Sequence, residues 1–140
     1  EDSKPHRPVM IHRAPFGSLA RMIGLLTEQY AGAFPLWLAP GQVAVLPIAD
    51  RHVDAAQELA DRLRGFSDGA AGPKWRVHVD DRRETLGKKI RENQMQRVPY
   101  MAILGDRDIE SGTVGVRHRE EGDLGAMTVD AFEARLAEGV

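Results

Sequence analysis

RRETLGKKIRENQMQRVPYMAILGDRDIESGTVGVRHR, residues 82–119, is the stretch on which the fold reading turns. Its opening part, 82–97, holds six cationic side chains (Arg82, Arg83, Lys88, Lys89, Arg91, Arg97) against Glu84 and Glu92, in a chain of formal net charge −2. Local field rather than net charge decides where a polyanion lands. The pattern predicts a basic helix from about Glu84, a tight turn at Val98-Pro99 and an apolar strand over Tyr100–Gly105. A turn over Asp106–Gly112 then leads to a second strand, Thr113–His118, which brings Arg117 and Arg119 back to the same neighbourhood. The unit reads as a nucleic-acid-binding surface built on a sheet edge. The plainer reading of a charge run is a solvated amphipathic helix, and composition alone favours that one.

Working outward, Val43–Ile48 is a continuous apolar run of the kind that forms a strand covered on both faces. Asp50 is placed to cap a helix whose face is Val53, Ala56, Ala60 and Leu63. Residues 67–73, SDGAAGP, predict a flexible loop. Trp75–Asp80 alternates as a second strand. Beyond Arg119, a loop to Gly122 precedes a short strand at Leu124–Met127, and Thr128 caps a last helix with Val129, Phe132 and Leu136 inward. The order βαβαββ(β)α predicts a mixed, about five-stranded α/β sheet with helices on both faces. Ligands favour the carboxyl ends of parallel strands in such sheets, which points to Asp80–Arg83 and Gly105–Asp108 as a common rim.

Upstream of Pro40-Gly41 the pattern changes. Val9–His12 fits a short strand. Leu19, Met22, Ile23, Leu26 and Tyr30 share one helical face, with Ser18 as N-cap and Gly32 as the C′ residue. Phe34–Pro40 is apolar and expected to be extended by its two prolines. So much apolar surface predicts the tail of a larger domain over residues 1–40, followed by a domain over 41–140; packing of the arm on the following domain is the alternative.

The 140 residues include no cysteine, which excludes disulfides and thiolate zinc sites and suits a reducing cytosol. No apolar run is long enough to cross a bilayer, and the start EDSKPHRP does not resemble a signal peptide. The five histidines share no metal-ligand spacing, and neither a nucleophile elbow nor a phosphate-cradling glycine loop occurs. The arginines carry the chemistry. A guanidinium stacks on an unpaired base or donates a bidentate fork to guanine, and a carboxylate such as Asp108 accepts from guanine's Watson–Crick edge.

Residues 12–40 (HRAPFGSLARMIGLLTEQYAGAFPLWLAP), VAVLPIADRHVDAAQELADRL, IRENQ-x-x-x-VPYM-x-x-x-GD joined to G-T-V-x-V-R, and GDLGAMTVDAF together resemble the C-terminal part of the threonyl-tRNA synthetase family. The resemblance covers nearly all of the chain from Pro8 on. It implies that residues 1–40 end a class II catalytic domain, including its third motif, and that 41–140 form an anticodon-binding domain. It further implies tRNA-contacting roles for Arg91, Arg97 and Arg117. Asp108 stands where the family usually has Glu, and Arg83 where Asn is common. Arg21 matches the motif arginine that packs on the ATP adenine, Ser18 lies where the active site is lined, and His12 matches one ligand of a catalytic zinc whose other ligands lie upstream. Ala20 replaces the usual Glu.

The implied parent enzyme is an ATP-dependent, zinc-containing ligase that joins threonine to its tRNA through an adenylate. It would be a cytoplasmic homodimer with no membrane or DNA partner. The fragment alone is expected to need no cofactor and to catalyse nothing; its partner is the anticodon stem-loop of threonine tRNA. The alternative is a standalone or inactive synthetase-like module that binds a protein or a small ligand.

Overall fold

The computed structural model describes residues 7–65 and 75–139, so the expected 67–73 loop lies outside the described residues. The chain divides into two compact units, 1–32 and 33–140.

In the first unit, α1 (Leu19–Gln29) carries the predicted apolar stripe, yet none of its residues is buried. The strand expected at Val9–His12 does not form, since those residues have no regular structure. A strand needs a partner's backbone groups, and in this unit the described residues offer none. Gly32 is also one place beyond the C′ position. Ala31 takes the left-handed conformation (φ 48°), its N–H bonding to the Glu28 carbonyl at 3.2 Å, while the Gly32 N–H reaches the Thr27 carbonyl at 3.0 Å. That pair of bonds is a Schellman motif with alanine at C′.

The second unit is a five-stranded sheet of order β2-β1-β3-β4-β5. Its strands are β1 (Val43–Pro47), β2 (Val77–Val79), β3 (Tyr100–Leu104), β4 (Thr113–His118) and β5 (Gly122–Thr128). The first three run parallel; β4 and β5 join antiparallel. Alternation along the strands divides the core. Val43, Val45, Tyr100, Ala102, Val114 and Val116 pack with α2 (Val53–Arg64) and α5 (Val129–Glu138), through Ala56, Leu63, Phe132 and Leu136. On the other face Ala44, Leu46 and Met101 meet Leu86 and Ile90 of α3 (Leu86–Met95). All five residues of β1 are buried, as the unbroken apolar run predicts. The mixed sheet with helices on both faces is therefore the observed architecture.

Four local expectations are corrected. The Pro35–Ala39 segment turns instead of extending: the N–H groups of Leu38 and Ala39 both bond to the Pro35 carbonyl at 3.0 Å. It belongs to the second unit, with Leu36 in the core, Gln42 Nε2 donating to the Leu36 carbonyl (2.8 Å) and Arg76 to the carbonyls of Ala39 and Trp37 (2.9 and 2.7 Å). The compact unit starts at Ala33.

Asp106–Gly112 is a short helix, α4 (Asp106–Ser111), ended by Gly112 in the left-handed region (φ 65°); six residues are too few to show a helical period. The α2 start is preceded by a 3-10 turn, Asp50–His52, and the group that satisfies it is the buried His52 ring, whose Nδ1 accepts the Ala49 N–H at 3.3 Å, not the Asp50 carboxylate. Finally, β5 is longer than expected and meets β4 across a bulge at Val116/Arg117.

Candidate nucleic-acid interface

Helix α3 is the crossover between β2 and β3, and Thr85 caps it by accepting the Lys88 N–H. Its inward positions are Leu86, Lys89, Ile90 and Asn93, one helical face at the expected spacing. Two of these are polar, which explains why the apolar face is thin in sequence. The Lys89 ammonium is buried and donates to the carbonyls of Asp80 (2.8 Å) and Pro47 (3.2 Å), tying α3 to the ends of β2 and β1. Asn93 Oδ1 sits 3.0 Å from His78 Nε2 on β2.

The cations of 82–97 separate into two groups. Arg82 forms a bidentate pair with the buried Asp80 carboxylate (2.8 and 2.7 Å) and a second bridge to Glu92 (2.7 Å). Its guanidinium is the chief reason the Asp80 carboxyl lies below the usual range, and burial acts against that shift. Lys88 pairs with Glu84 at 2.6 Å, and Arg83 Nε lies 3.3 Å from Asp50. Arg91 and Arg97 are exposed and form no ion pair among the described residues.

Glu92 is on the flank of α3 that meets Arg82, and the inward Asn93 reaches His78 of β2. At 100° per residue, Arg91 falls on the solvent side of the helix, away from its inward face. Arg97 follows the helix in the left-handed conformation (φ 59°), its N–H on the Gln94 carbonyl (3.0 Å) and the Val98 N–H on the Asn93 carbonyl (3.1 Å). This is again a Schellman end, here with arginine where glycine is commonest, at a cost of about 1 kcal/mol.

Arg117 on β4 pairs directly with Met101 of β3. Paired residues point to one face of a sheet, so Arg117 emerges on the α3 side. The apolar cluster under α3 takes no residue from β4 or β5. Around Arg117 the same face carries Gly115 and its partner Ala126, and the cross-strand partner of Arg117 on β5 is Asp123. Arg117 Nε is buried there without a hydrogen-bond partner. Arg91 on α3 and Arg97 at its end are exposed, and Arg117 is half-buried on β4.

The other two expected residues lie elsewhere. Arg83 is at the carboxyl ends of β1 and β2, lining a cleft of about 360 Å³ with Ile48, Thr85 and Lys89. Asp108 is at the carboxyl end of β3, where its Oδ2 accepts the Gly105 N–H (3.0 Å) and it lines a depression with Leu59, Arg62 and Val129 of the α2–α5 side. The carboxyl-end rim accounts for Arg83 and Asp108, while Arg97 and Arg117 stand towards the amino end of β3.

Sequence reasoning missed two clusters. His52 Nε2 donates to Asp106 Oδ1 (2.8 Å), and Arg51 Nε reaches the same carboxylate (2.9 Å), joining the starts of α2 and α4. Arg51 first and His52 second hold the Asp106 carboxyl far below its usual range. The second cluster centres on Arg119, whose guanidinium serves three backbone carbonyls. No spacing in the sequence marks either set, because the partners are brought together only by the sheet.

In the first unit His12, Ser18 and Arg21 are all exposed, and Ser18 occupies the N-cap position without a side-chain bond. Among the described residues no three His, Asp or Glu side chains gather as a metal-binding group. No helix among them is long and apolar enough to cross a membrane.

Residues 42–139 match the family profile described as "Anticodon binding domain". The chain is 51% identical over all 140 residues to the threonine–tRNA ligase of Desulforamulus reducens and 53% identical over 139 residues to that of Carboxydothermus hydrogenoformans. It spans about a fifth (21%) of the length of either relative. Among solved structures it is similar to the RNA-binding domain of threonyl-tRNA synthetase from Cryptosporidium parvum Iowa II, with a TM-score of 0.74 and 29% identity over 88% of this chain and 29% of that one. The chain belongs to the anticodon-binding domain family, and within it is similar to the domain of threonine–tRNA ligases.

Proposed function

We propose that this chain is the tRNA-reading part of a threonine–tRNA ligase and that its surface receives the anticodon stem-loop of threonine tRNA. What supports this is three arginines that form no ion pair among the described residues, Arg91 on α3, Arg97 at its end and Arg117 on the α3 side of β4, in a chain that is acidic overall. Threonine codons begin AC, so the fixed anticodon letters are guanine and uracil. Splayed single-stranded bases can stack against guanidinium planes, while phosphates pair with the same groups. Arg83 and Asp108 act from the carboxyl-end rim. Asp108 keeps one oxygen on Gly105 N–H and offers the other to guanine's N1–H and N2–H.

In this reading the longer ligase is a cytoplasmic homodimer. It uses ATP to activate threonine, and residues 1–40 are the end of its catalytic domain. Ser18 and Arg21 are then on the ATP side, and His12 is one of its zinc ligands. Residues 41–140 form the anticodon-binding domain. Alone the chain catalyses nothing, because the exposed remnant holds too few of the groups that activation needs.

The test is a titration of this chain with the threonine tRNA anticodon stem-loop and with an anticodon-swapped version, at two salt concentrations. Binding is expected to favour the threonine anticodon and to weaken with salt, by roughly 0.7 in the logarithmic slope for each phosphate contact. Equal affinity for both stem-loops overturns the assignment of base reading to this surface.

A further inference from the structure

Arg119 lies where three pieces of the second unit meet. Its Nη1 donates to the carbonyls of Phe34 (2.7 Å) and Arg97 (3.4 Å), its Nη2 to that of Ala33 (3.1 Å), and its Nε lies 3.3 Å from Glu120. Its own backbone N–H donates to the Pro99 carbonyl at 3.0 Å. The side chain is only 12% exposed, whereas the Glu120 side chain is 69% exposed, so backbone carbonyls and not the carboxylate define where the guanidinium sits.

Arginine suits this place for a geometric reason. Its five N–H groups lie in one rigid plane and serve diverging acceptors at once, whereas an ammonium is a compact point charge. The acceptors are not arbitrary. Arg97 is the left-handed corner that ends α3, Pro99 leads into β3, and Ala33 and Phe34 are the first residues of the second unit. Arg119 itself follows Arg117 by two positions, just beyond the end of β4. One side chain therefore links the corner carrying Arg97 to the strand carrying Arg117.

We propose that Arg119 is a positioning residue of the RNA-binding surface: its hydrogen bonds to the Arg97 corner and to the 33–34 segment set where the Arg97 guanidinium stands relative to β4 and Arg117. This rests on the reading of Arg97 as an RNA contact. Arg119 itself touches no RNA and acts through the backbone of others.

A double-mutant cycle tests it. The chain and its Arg119→Gln and Arg119→Lys variants are titrated with the threonine tRNA anticodon stem-loop, each with Arg97 intact and as Arg97→Ala, at a temperature where circular dichroism shows every variant folded. Arg119→Gln is expected to weaken binding about fivefold, and Arg97→Ala to cost less than about twofold further in that background. Arg91→Ala, the control, costs the same factor in both backgrounds. Arg119→Lys behaves like Arg119→Gln, since it keeps the charge and loses the planar fork; if Arg119→Gln does not fold, the cycle is read on Arg119→Lys. If Arg97→Ala costs an equal factor with and without Arg119, the positioning role is overturned and the RNA reading stands. If Arg97→Ala costs nothing in the native background, Arg97 is no RNA contact and both readings of it fall.

Discussion

Arg117 shows how much a single position carries. Its Cα is fixed by the pairing with Met101, and its Nε is buried with no acceptor. A buried donor without a partner costs free energy. Arg117→Lys keeps the charge and loses the planar fork. Arg117→Ala is expected to weaken stem-loop binding by about 1–3 kcal/mol and to relax base choice. Arg117→Lys is expected to restore the salt dependence but not the base preference, as read by titration with both stem-loops. Equal binding by all three proteins would remove Arg117 from the interface.

At the scale of the element, α3 is held by polar groups where a crossover helix usually relies on aliphatic ones. Lys89 spans from the helix to the last residue of β1 and the exit of β2, and Asn93 is buried beside it. This arrangement fixes the helix against the strand ends. Lys89→Met preserves the stem and removes the donor, leaving the Pro47 and Asp80 carbonyls unpaired. Each such group costs about 1–3 kcal/mol. The expected outcome is a loss of that order or more in urea unfolding, with an unchanged m-value. Stability equal to the native chain's would mean that water replaces the ammonium without penalty.

For the whole molecule, three groups predict how stability follows pH. The His118 ring packs against Tyr100, tilted by 45° with centroids 4.8 Å apart, and its Nδ1 lies 3.3 Å from the Glu121 backbone nitrogen and 3.2 Å from the Glu121 carboxylate. The first contact needs a bare nitrogen and the second a protonated one. Burial decides for the neutral ring, lowering the imidazole's pKa despite the opposing pull of Glu121 and Glu120. A histidine with a folded pKa below its unfolded value of roughly 6.5 binds protons more readily when unfolded, so its contribution is complete above that pH and lost as pH falls through the folded value.

Asp80 and Asp106 are lowered by Arg82 and Arg51 respectively, and their contributions are present above roughly pH 4 and lost below it. Melting temperature is therefore expected to decline in two stages on acidification, one beginning near pH 6.5 and one near pH 4. His118→Phe should flatten the first stage and leave the second. A single decline near pH 4 in the native chain would contradict the neutral assignment of His118.

The sequence by itself determined the alternation of strands and helices, the mixed sheet and the two apolar faces, because periodicities of two and 3.6 are local and survive without knowledge of the fold. It also showed the excess of cations over 82–97, within which the resemblance to the threonyl-tRNA synthetase family, together with Arg117, pointed to Arg91 and Arg97. It misjudged elements whose stability is not local: α4, too short to show a period; the Pro35–Ala39 turn, shaped by Leu36 entering the core; and the Val9–His12 strand, which has no partner. Only the tertiary structure decided that Arg82 and Lys88 are neutralised and Lys89 buried, that Arg83 and Asp108 stand apart from the other three, and that His52 and Arg119 are clamps. Those outcomes depend on groups far apart in the chain, Arg51 with Asp106 or Arg119 with Ala33, and contacts of that range exist only once the sheet has brought their strands together.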